Sequence, residues 1–139
     1  MSNKIFNIIL TRSKNLLPEE KLAAARQLVL EKCNFVVDIG ANDGQWMSDL
    51  RRRGCRGPAL SIEPLKKNYS KLKLSNFHNT KTLNCAVGNT NGYIYINYAS
   101  NNGLSSSILE LDFYHKQAAP HVMFISKEKV KIFKLSKIL

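Results

Sequence analysis

Phe35-Val36-Val37-Asp38-Ile39-Gly40-Ala41-Asn42-Asp43-Gly44 is the stretch of this 139-residue sequence that decides the predicted fold. It begins with an apolar, β-branched run, which is typical of a strand buried on both faces. Glycines follow, and a helix-like pattern starts directly after them. In an α/β sheet, a strand that ends at glycines and turns at once into a helix forms one wall of a ligand-binding crevice. The stretch therefore predicts an α/β fold with a crevice at this turn.

The segments around this stretch alternate between helix and strand patterns. The predicted helices cover residues 18–32, 44–53 and 65–74, and the predicted strands cover 35–39, 59–62 and about 81–87. Gly54 is the predicted C-terminal cap of the second helix. The run Arg51-Arg52-Arg53 before it is interpreted as a solvated helix end, favoured by the helix dipole. The alternation predicts a parallel sheet with right-handed crossovers.

The pattern changes after Gly88. Residues 93–98 and 130–135 each alternate between apolar and polar side chains, which predicts two further strands. The second of these is expected to pair antiparallel near the sheet edge. Near the other end, residues 4–14 are interpreted as a short amphipathic turn of helix. We therefore divide the chain into an N-terminal helical segment, residues 1–32, and a domain, residues 33–139.

The chain is strongly basic, with a formal net charge of +11 and an isoelectric point near 9.8. Such a charge fits nucleic acid, an anionic membrane surface or an anionic substrate, and it also fits a merely solvated basic surface. Cys33, Cys55 and Cys85 have neither zinc-ligand spacing nor the even number of a disulfide scaffold. Reduced thiols predict a cytoplasmic location. No apolar run has the length of a membrane span.

Two classes of cofactor use a strand, a glycine turn and an acid at the end of the next strand. The dinucleotide fingerprint needs glycines at its first, third and sixth positions. Counted from Gly40, these positions hold Gly40, Asn42 and Gln45, so two of the three differ. Asp43 also places a negative charge in the loop, where it would repel a pyrophosphate. The residues therefore disfavour a dinucleotide.

S-adenosylmethionine has no phosphate and carries a positive sulfonium, so acids near it are favourable. Asp38, Asp43 and Glu63 fall at two adjacent strand ends of an otherwise basic chain. Glu63 lies 23 residues after Gly40, the usual separation for a carboxylate that accepts hydrogen bonds from both ribose hydroxyls. Taken alone, such a turn is a weak signal, and Asn84 is more often a turn former. The combination favours the methyl donor.

Four pieces of the chain resemble the FkbM-type family of S-adenosylmethionine-dependent methyltransferases. They are Val37-Asp38-Ile39-Gly40-Ala41-Asn42-Asp43-Gly44-Gln45, Ser61-Ile62-Glu63-Pro64, Asn84-Cys85-Ala86-Val87-Gly88 and Ser105-Ser106-Ser107. The resemblance implies a Rossmann-like class I methyltransferase fold. It also implies an activity, usually O-methylation of a sugar, polyketide or other small-metabolite hydroxyl. The resemblance covers the chain from about residue 33 to its end.

Carried over by position, the family resemblance implies a set of cofactor-binding residues. Those in the glycine turn would border the methionine part, Glu63 would hold the ribose, and residues 84–86 would lie beside the adenine. The full set is Asp38, Gly40, Ala41, Asn42, Gly44, Glu63, Pro64, Asn84 and Ala86. No metal site is expected. His78, His115 and His121 are candidate bases, but none is assigned a catalytic role.

Two features depart from the family pattern. Leu135-Ser136 stands where the family usually has Leu-Asp, and the sequence stops before a later acid-glycine-acid strand end. In the family fold, a fourth strand pairs on the far side of the first. We therefore expect a fold truncated after the first half of the sheet, with an antiparallel extension. The run 35–39 would then be an unpaired edge that favours self-association.

Two other functions stay open from the sequence alone. One is a non-catalytic remnant that binds S-adenosylmethionine without transferring its methyl group. The other is a basic nucleic-acid-binding module, which rests on charge alone. No recognised nucleic-acid motif accompanies the lysines, so a nucleic-acid partner is disfavoured. The lysines concerned are Lys66, Lys67, Lys71, Lys73, Lys127, Lys129, Lys131, Lys134 and Lys137.

Overall fold

The structure is a computed structural model that describes residues 7–11 by their backbone, and residues 34–104, 106–108 and 121–139 in full. Two sheets and three helices are formed by these residues. In chain order the elements are β1 (Asn7–Thr11), β2 (Phe35–Ile39), α1 (Gln45–Arg52), β3 (Ala59–Ile62), α2 (Lys66–Leu74), β4 (Thr80–Leu83), β5 (Ala86–Gly88), β6 (Gly92–Ala99), β7 (Phe124–Lys134) and α3 (Leu135–Ile138). The predicted mixed α/β class is confirmed.

The first sheet contains four parallel strands in the order β1-β2-β3-β4. Helices α1 and α2 connect β2 to β3 and β3 to β4, as the alternating pattern predicts. Strand β2 is central, and its middle residues Val36, Val37 and Asp38 are buried. Because parallel strands need apolar cover on both faces, an uninterrupted run such as Phe35-Val36-Val37 is the sequence that suits this position.

Strand β1 corrects two expectations. The helical turn predicted over residues 4–14 is wrong, because Asn7–Thr11 is a strand that pairs in parallel with β2. The far side of β2 is therefore occupied, and the predicted unpaired edge at residues 35–39 is wrong as well. The apolar run Ile8-Ile9-Leu10 suits a sheet strand better than an amphipathic helix. The reason for self-association through the β2 edge disappears with this pairing.

The second sheet has the strand order β5-β7-β6. Strands β6 and β7 are antiparallel, which confirms the predicted pairing of the last strand, although β7 starts earlier than expected and lies in a separate sheet. The single strand predicted over about 81–87 is wrong. The chain breaks at Asn84 and Cys85, so that β4 ends in the first sheet and β5 begins in the second. The Asn84 side chain donates hydrogen bonds to the carbonyls of Glu63 and Pro64, both at 2.9 Å. These bonds stabilise the interruption between β4 and β5.

Helix α1 packs against one face of the first sheet through Met47 and Leu50, both buried as predicted. The opposite face, with Val37 and Ile62, packs against Phe133 and Ile138 from the end of β7 and from α3. Complete burial of an apolar side chain of this size stabilises the fold by about 1.5–3 kcal/mol. These contacts fix the first sheet between α1 on one face and the end of β7 with α3 on the other.

Arg51 contradicts the interpretation of its run as a solvated helix end. Its side chain is only 7% exposed, and its guanidinium donates to the carbonyls of Cys55 and Gly57 at 2.9 and 2.8 Å. It also donates to the Thr80 hydroxyl at 2.8 Å. Helix spacing turns this residue inward, whereas Arg52 and Arg53 stay exposed and pair with Asp49.

Several expectations fall on residues outside the described ranges. The predicted helix over 18–32 lies there, and the division of the chain at residue 32 stays a prediction. The predicted C-terminal cap of α1 is described: Gly54 has φ +97°, the left-handed conformation that favours glycine after a helix. Among the described helices, none has the length and apolar character needed to cross a membrane.

Candidate functional site

The glycine turn after β2 is attached to the end of β3. The amides of Gly40 and Ala41 both donate to the Ile62 carbonyl, at 2.8 and 3.0 Å. Gly40 and Asn42 have φ angles of +77° and +53°, so the chain reverses within three residues. The turn closes with a 2.9 Å bond from the Gly44 amide to the Ala41 carbonyl, and α1 begins at the next residue.

Glu63 joins the two strand ends. Its Oε2 accepts a 2.7 Å hydrogen bond from the Asn42 amide, and its Oε1 accepts a 2.9 Å bond from the Leu65 amide. The residue is 4% exposed. The structure therefore brings the acid at the end of β3 into direct contact with the glycine turn, as the spacing of 23 residues indicates.

The Glu63 carboxylate accepts hydrogen bonds from the backbone in a fixed orientation. An ionised carboxylate only accepts hydrogen bonds, and it has about four lone-pair positions. Hydrogen bonds to an ionised group contribute about 1.5–3 kcal/mol each, roughly twice the value of neutral ones. A pair of ligand hydroxyls is a chemical group that such a carboxylate binds.

The two turn glycines have different environments. A Cβ built on Gly40 would meet no atom within 4 Å, so open space adjoins the backbone there. A Cβ on Gly44 would lie 2.5 Å from Cε2 of Phe77, so this glycine is required by packing between α1 and the α2–β4 connection. Open space at Gly40 is what close approach of a ligand to the backbone needs. The contact of Gly44 with a ligand stays a prediction.

The other residues of the predicted site fall into two groups. Asp38 and Ala41 are buried beside the turn, and Pro64 is half-buried directly after Glu63. Asn84 is exposed at the same edge of the sheet, where its amide holds the Glu63 and Pro64 carbonyls. Ala86 is buried in a cluster with Leu65 from the start of α2. The roles of Asn84 and Ala86 beside an adenine stay predictions.

A group of polar side chains behind the turn is absent from the sequence-based prediction. Asn68 of α2 donates to Oδ1 of Asn42 at 2.6 Å and to the carbonyl of Asn102 at 2.8 Å. The Tyr98 hydroxyl is 3.4 Å from Oδ1 of Asn68. These contacts connect the glycine turn to the loop after β6. A single amide among the lysines of α2 gives no pattern from which this role could be predicted.

Two cavities that adjoin this sheet do not include the Asn42–Glu63 contact. The larger, about 920 Å³, is lined at the amino ends of β2, β3 and β4, by Phe35, Pro58 and Thr80 among others. The smaller, about 420 Å³, lies beside Cys85 and α3. Burial raises the pKa of the Cys85 thiol, which keeps it protonated at neutral pH.

The three candidate histidine bases and the possible metal ligands were compared with the position of the glycine turn. His78 lines the larger cavity, away from the glycine turn, His121 is exposed, and His115 lies outside the described residues. In the described ranges, no three His, Cys, Asp or Glu side chains form a group that could hold a metal ion.

Comparison with known families agrees with this geometry. The family model described as the methyltransferase FkbM domain matches residues 38–134, from within β2 to the end of β7. Comparisons with curated proteins and with solved structures gave no match. The matched region covers more than half of the chain and contains every residue of the predicted cofactor site. The chain therefore belongs to the FkbM methyltransferase domain family.

Proposed function

We propose that this protein is an S-adenosylmethionine-dependent methyltransferase that methylates a hydroxyl of a sugar, a polyketide or another small metabolite. The observation that supports it most directly is the 2.7 Å bond between the Asn42 amide and the Glu63 carboxylate. This bond joins the glycine turn to the acid that we expect to bind the ribose. Family membership supports the reaction class, and the contact supports this edge of the sheet as the cofactor site.

The carboxylates at the turn fit a cationic nucleoside better than they fit a dinucleotide. Glu63 supplies a carboxylate of the kind that binds ribose hydroxyls, and open space adjoins the Gly40 backbone. Oδ1 of Asp43 is buried and has no hydrogen-bond partner among the described residues. A buried carboxylate oxygen in the turn would repel a pyrophosphate, whereas it is compatible with a sulfonium. The chemistry of these residues therefore favours S-adenosylmethionine.

The protein's own part in the reaction is binding and orientation. When bound, S-adenosylmethionine supplies an activated methyl group, so that proximity and alignment of the acceptor account for much of the rate. Glu63 would hold the ribose, and the backbone of residues 40–42 would border the methionine part. Asn68 would keep the Asn42 side chain in place from behind. We assign no general base.

We also propose that the first sheet is the nucleotide-binding part of a Rossmann-like class I methyltransferase arrangement. The support is its parallel order, with the glycine turn and Glu63 at the carboxyl ends of two adjacent strands. A cytoplasmic location is part of the same proposal and rests on the cysteine pattern of the sequence.

Calorimetric titration with S-adenosylmethionine, followed by a labelled-methyl transfer assay against small hydroxylated acceptors, tests the function. We expect saturable binding with one site per chain, and no binding of a nicotinamide dinucleotide in the matched control. Methyl transfer would support the enzyme, whereas binding without transfer to any acceptor would favour the non-catalytic remnant. A folded chain that binds no S-adenosylmethionine would contradict both.

A further inference from the structure

The outward face of the β6–β7 ribbon carries aromatic rings and lysines side by side. Tyr93 is directly opposite Lys131, and Tyr95 is directly opposite Lys129. Residues opposite each other in an antiparallel pair share a face, and so do residues two apart on one strand. Phe133 follows on the same strand, but its ring is half-buried and packs against the first sheet, so it marks the end of the exposed part of this face. The other face of the ribbon is apolar core, formed by Ile94, Ile96, Val130 and Ile132.

The row continues from β7 onto α3. Nζ of Lys137 lies 5.6 Å from the centre of the Phe133 ring, and Nζ of Lys129 lies 5.1 Å from the centre of the Tyr93 ring. We call this row the ring–lysine strip. It consists of Tyr95, Lys129, Tyr93, Lys131 and Lys137, with the half-buried ring of Phe133 at its inner end. At its α3 end it meets the cavity of about 420 Å³, which Lys131, Phe133 and Lys137 help to line.

The two tyrosine rings of the strip are more exposed than packing alone explains. Tyr93 and Tyr95 are 61% and 62% exposed, although each would bury large apolar area in a core. Scattered exposed apolar residues are normal, but two neighbouring rings flanked by amines are an ordered arrangement. The one acidic residue of these two strands, Glu128, is at an inward position, where it accepts a hydrogen bond from the Lys66 amide.

We propose that the ring–lysine strip binds single-stranded nucleic acid. Stacking of successive bases on exposed rings, with phosphates beside lysines, is how sheet surfaces hold single strands without a sequence motif. The strip supplies both elements in alternation, and the net charge of +11 would attract a polyanion from a distance. This proposal goes beyond the methyltransferase activity and does not depend on it.

The alternation of rings and lysines favours single-stranded nucleic acid over other polyanions as the partner. An anionic membrane surface needs lysines and inserted apolar groups but no regular order of rings and amines. An anionic polysaccharide would account for the lysines and has no flat aromatic bases to stack. The sequence alone disfavours nucleic acid because its lysines accompany no motif. The rings become relevant only when β6 pairs with β7 and places them beside the lysines.

Fluorescence anisotropy with labelled short oligouridylate and oligothymidylate tests the proposal on the full chain. Tyr93→Ala and Tyr95→Ala leave the net charge unchanged, and each is expected to weaken binding about fivefold or more through lost stacking. The double variant Lys129→Gln/Lys131→Gln is expected to reduce the steepness of the salt dependence by about 1.4, since each contact to a single strand contributes about 0.7.

The matched control is Lys71→Gln/Lys73→Gln on α2, which removes the same charge from exposed positions outside the strip. We expect it to change affinity by about twofold at most, because screening weakens distant charges at physiological salt. Unchanged thermal melting confirms that each variant is folded, and the lysine variants test the strip even if a tyrosine variant does not fold.

Three results would overturn the proposal. The first is an oligonucleotide affinity that the strip variants and the α2 control reduce equally. The second is binding that survives loss of both tyrosine rings. The third is retention on phosphatidylserine vesicles or on an anionic polysaccharide with no oligonucleotide binding, which would assign the strip to that partner instead.

Discussion

Replacing Arg51 with alanine is expected to lower the free energy of unfolding by about 3–5 kcal/mol. The guanidinium is the centre of a buried set of hydrogen bonds that joins the end of α1 to the start of β4. Its removal leaves the carbonyls of Cys55 and Gly57 without the donor that satisfies them. Each unsatisfied buried acceptor costs about 1–3 kcal/mol, so the summed loss exceeds that of an ordinary surface change.

The same run of arginines provides the controls. Arg52→Ala and Arg53→Ala each remove a surface ion pair with Asp49, and the Arg52 side chain is 77% exposed. Exposed ion pairs of this kind contribute about 0–1 kcal/mol. Urea denaturation of the three variants measures the difference. A loss for Arg51→Ala within about 1 kcal/mol of the loss for Arg52→Ala would contradict the buried role of this side chain.

Glu63→Gln is expected to weaken S-adenosylmethionine binding at least about tenfold, because the ribose would lose charge-assisted hydrogen bonds of about 1.5–3 kcal/mol each. The substitution keeps the size of the side chain but removes its charge. It also turns one acceptor into a donor, which would face the amide of Asn42 or of Leu65. We therefore expect lower stability in addition to weaker binding.

Glu128→Gln is the matched control for this prediction. Glu128 also accepts a backbone hydrogen bond, from the Lys66 amide at 2.9 Å, but it lies in the second sheet. Both variants lose one negative charge, so a difference in cofactor affinity reports position and not net charge. Calorimetry at a temperature where both variants are folded separates binding from stability. Equal affinities for Glu63→Gln, Glu128→Gln and the unaltered chain would show that Glu63 does not bind the cofactor.

The sequence predicts the central part of the first sheet well because that part is periodic and locally encoded. Strand β2 is a continuous apolar run, the turn after it needs glycine where φ is positive, and α1 buries Met47 and Leu50 at helical spacing. The spacing between Gly40 and Glu63 is set by one strand-helix-strand unit, so contact between the glycine turn and Glu63 could be expected from the sequence alone.

The errors occur where tertiary contacts decide the local structure. Strand β1 is only five residues long, and its pairing with β2 connects positions far apart in the chain. The break between β4 and β5 depends on the Asn84 side chain, which bonds to a carbonyl 20 residues away. Arg51 and Asn68 are polar residues buried by specific partners, and composition gives no signal for such burial.

An NMR titration of ¹⁵N-labelled protein with S-adenosylmethionine tests the central claim most directly. The largest chemical-shift changes are expected at the amides that form or adjoin the Glu63 contact, which are those of Gly40, Ala41, Asn42 and Leu65. The amides of the ring–lysine strip should not respond. Absence of any response, or changes confined to the cavity at the amino ends of β2, β3 and β4, would contradict a cofactor site at the glycine turn.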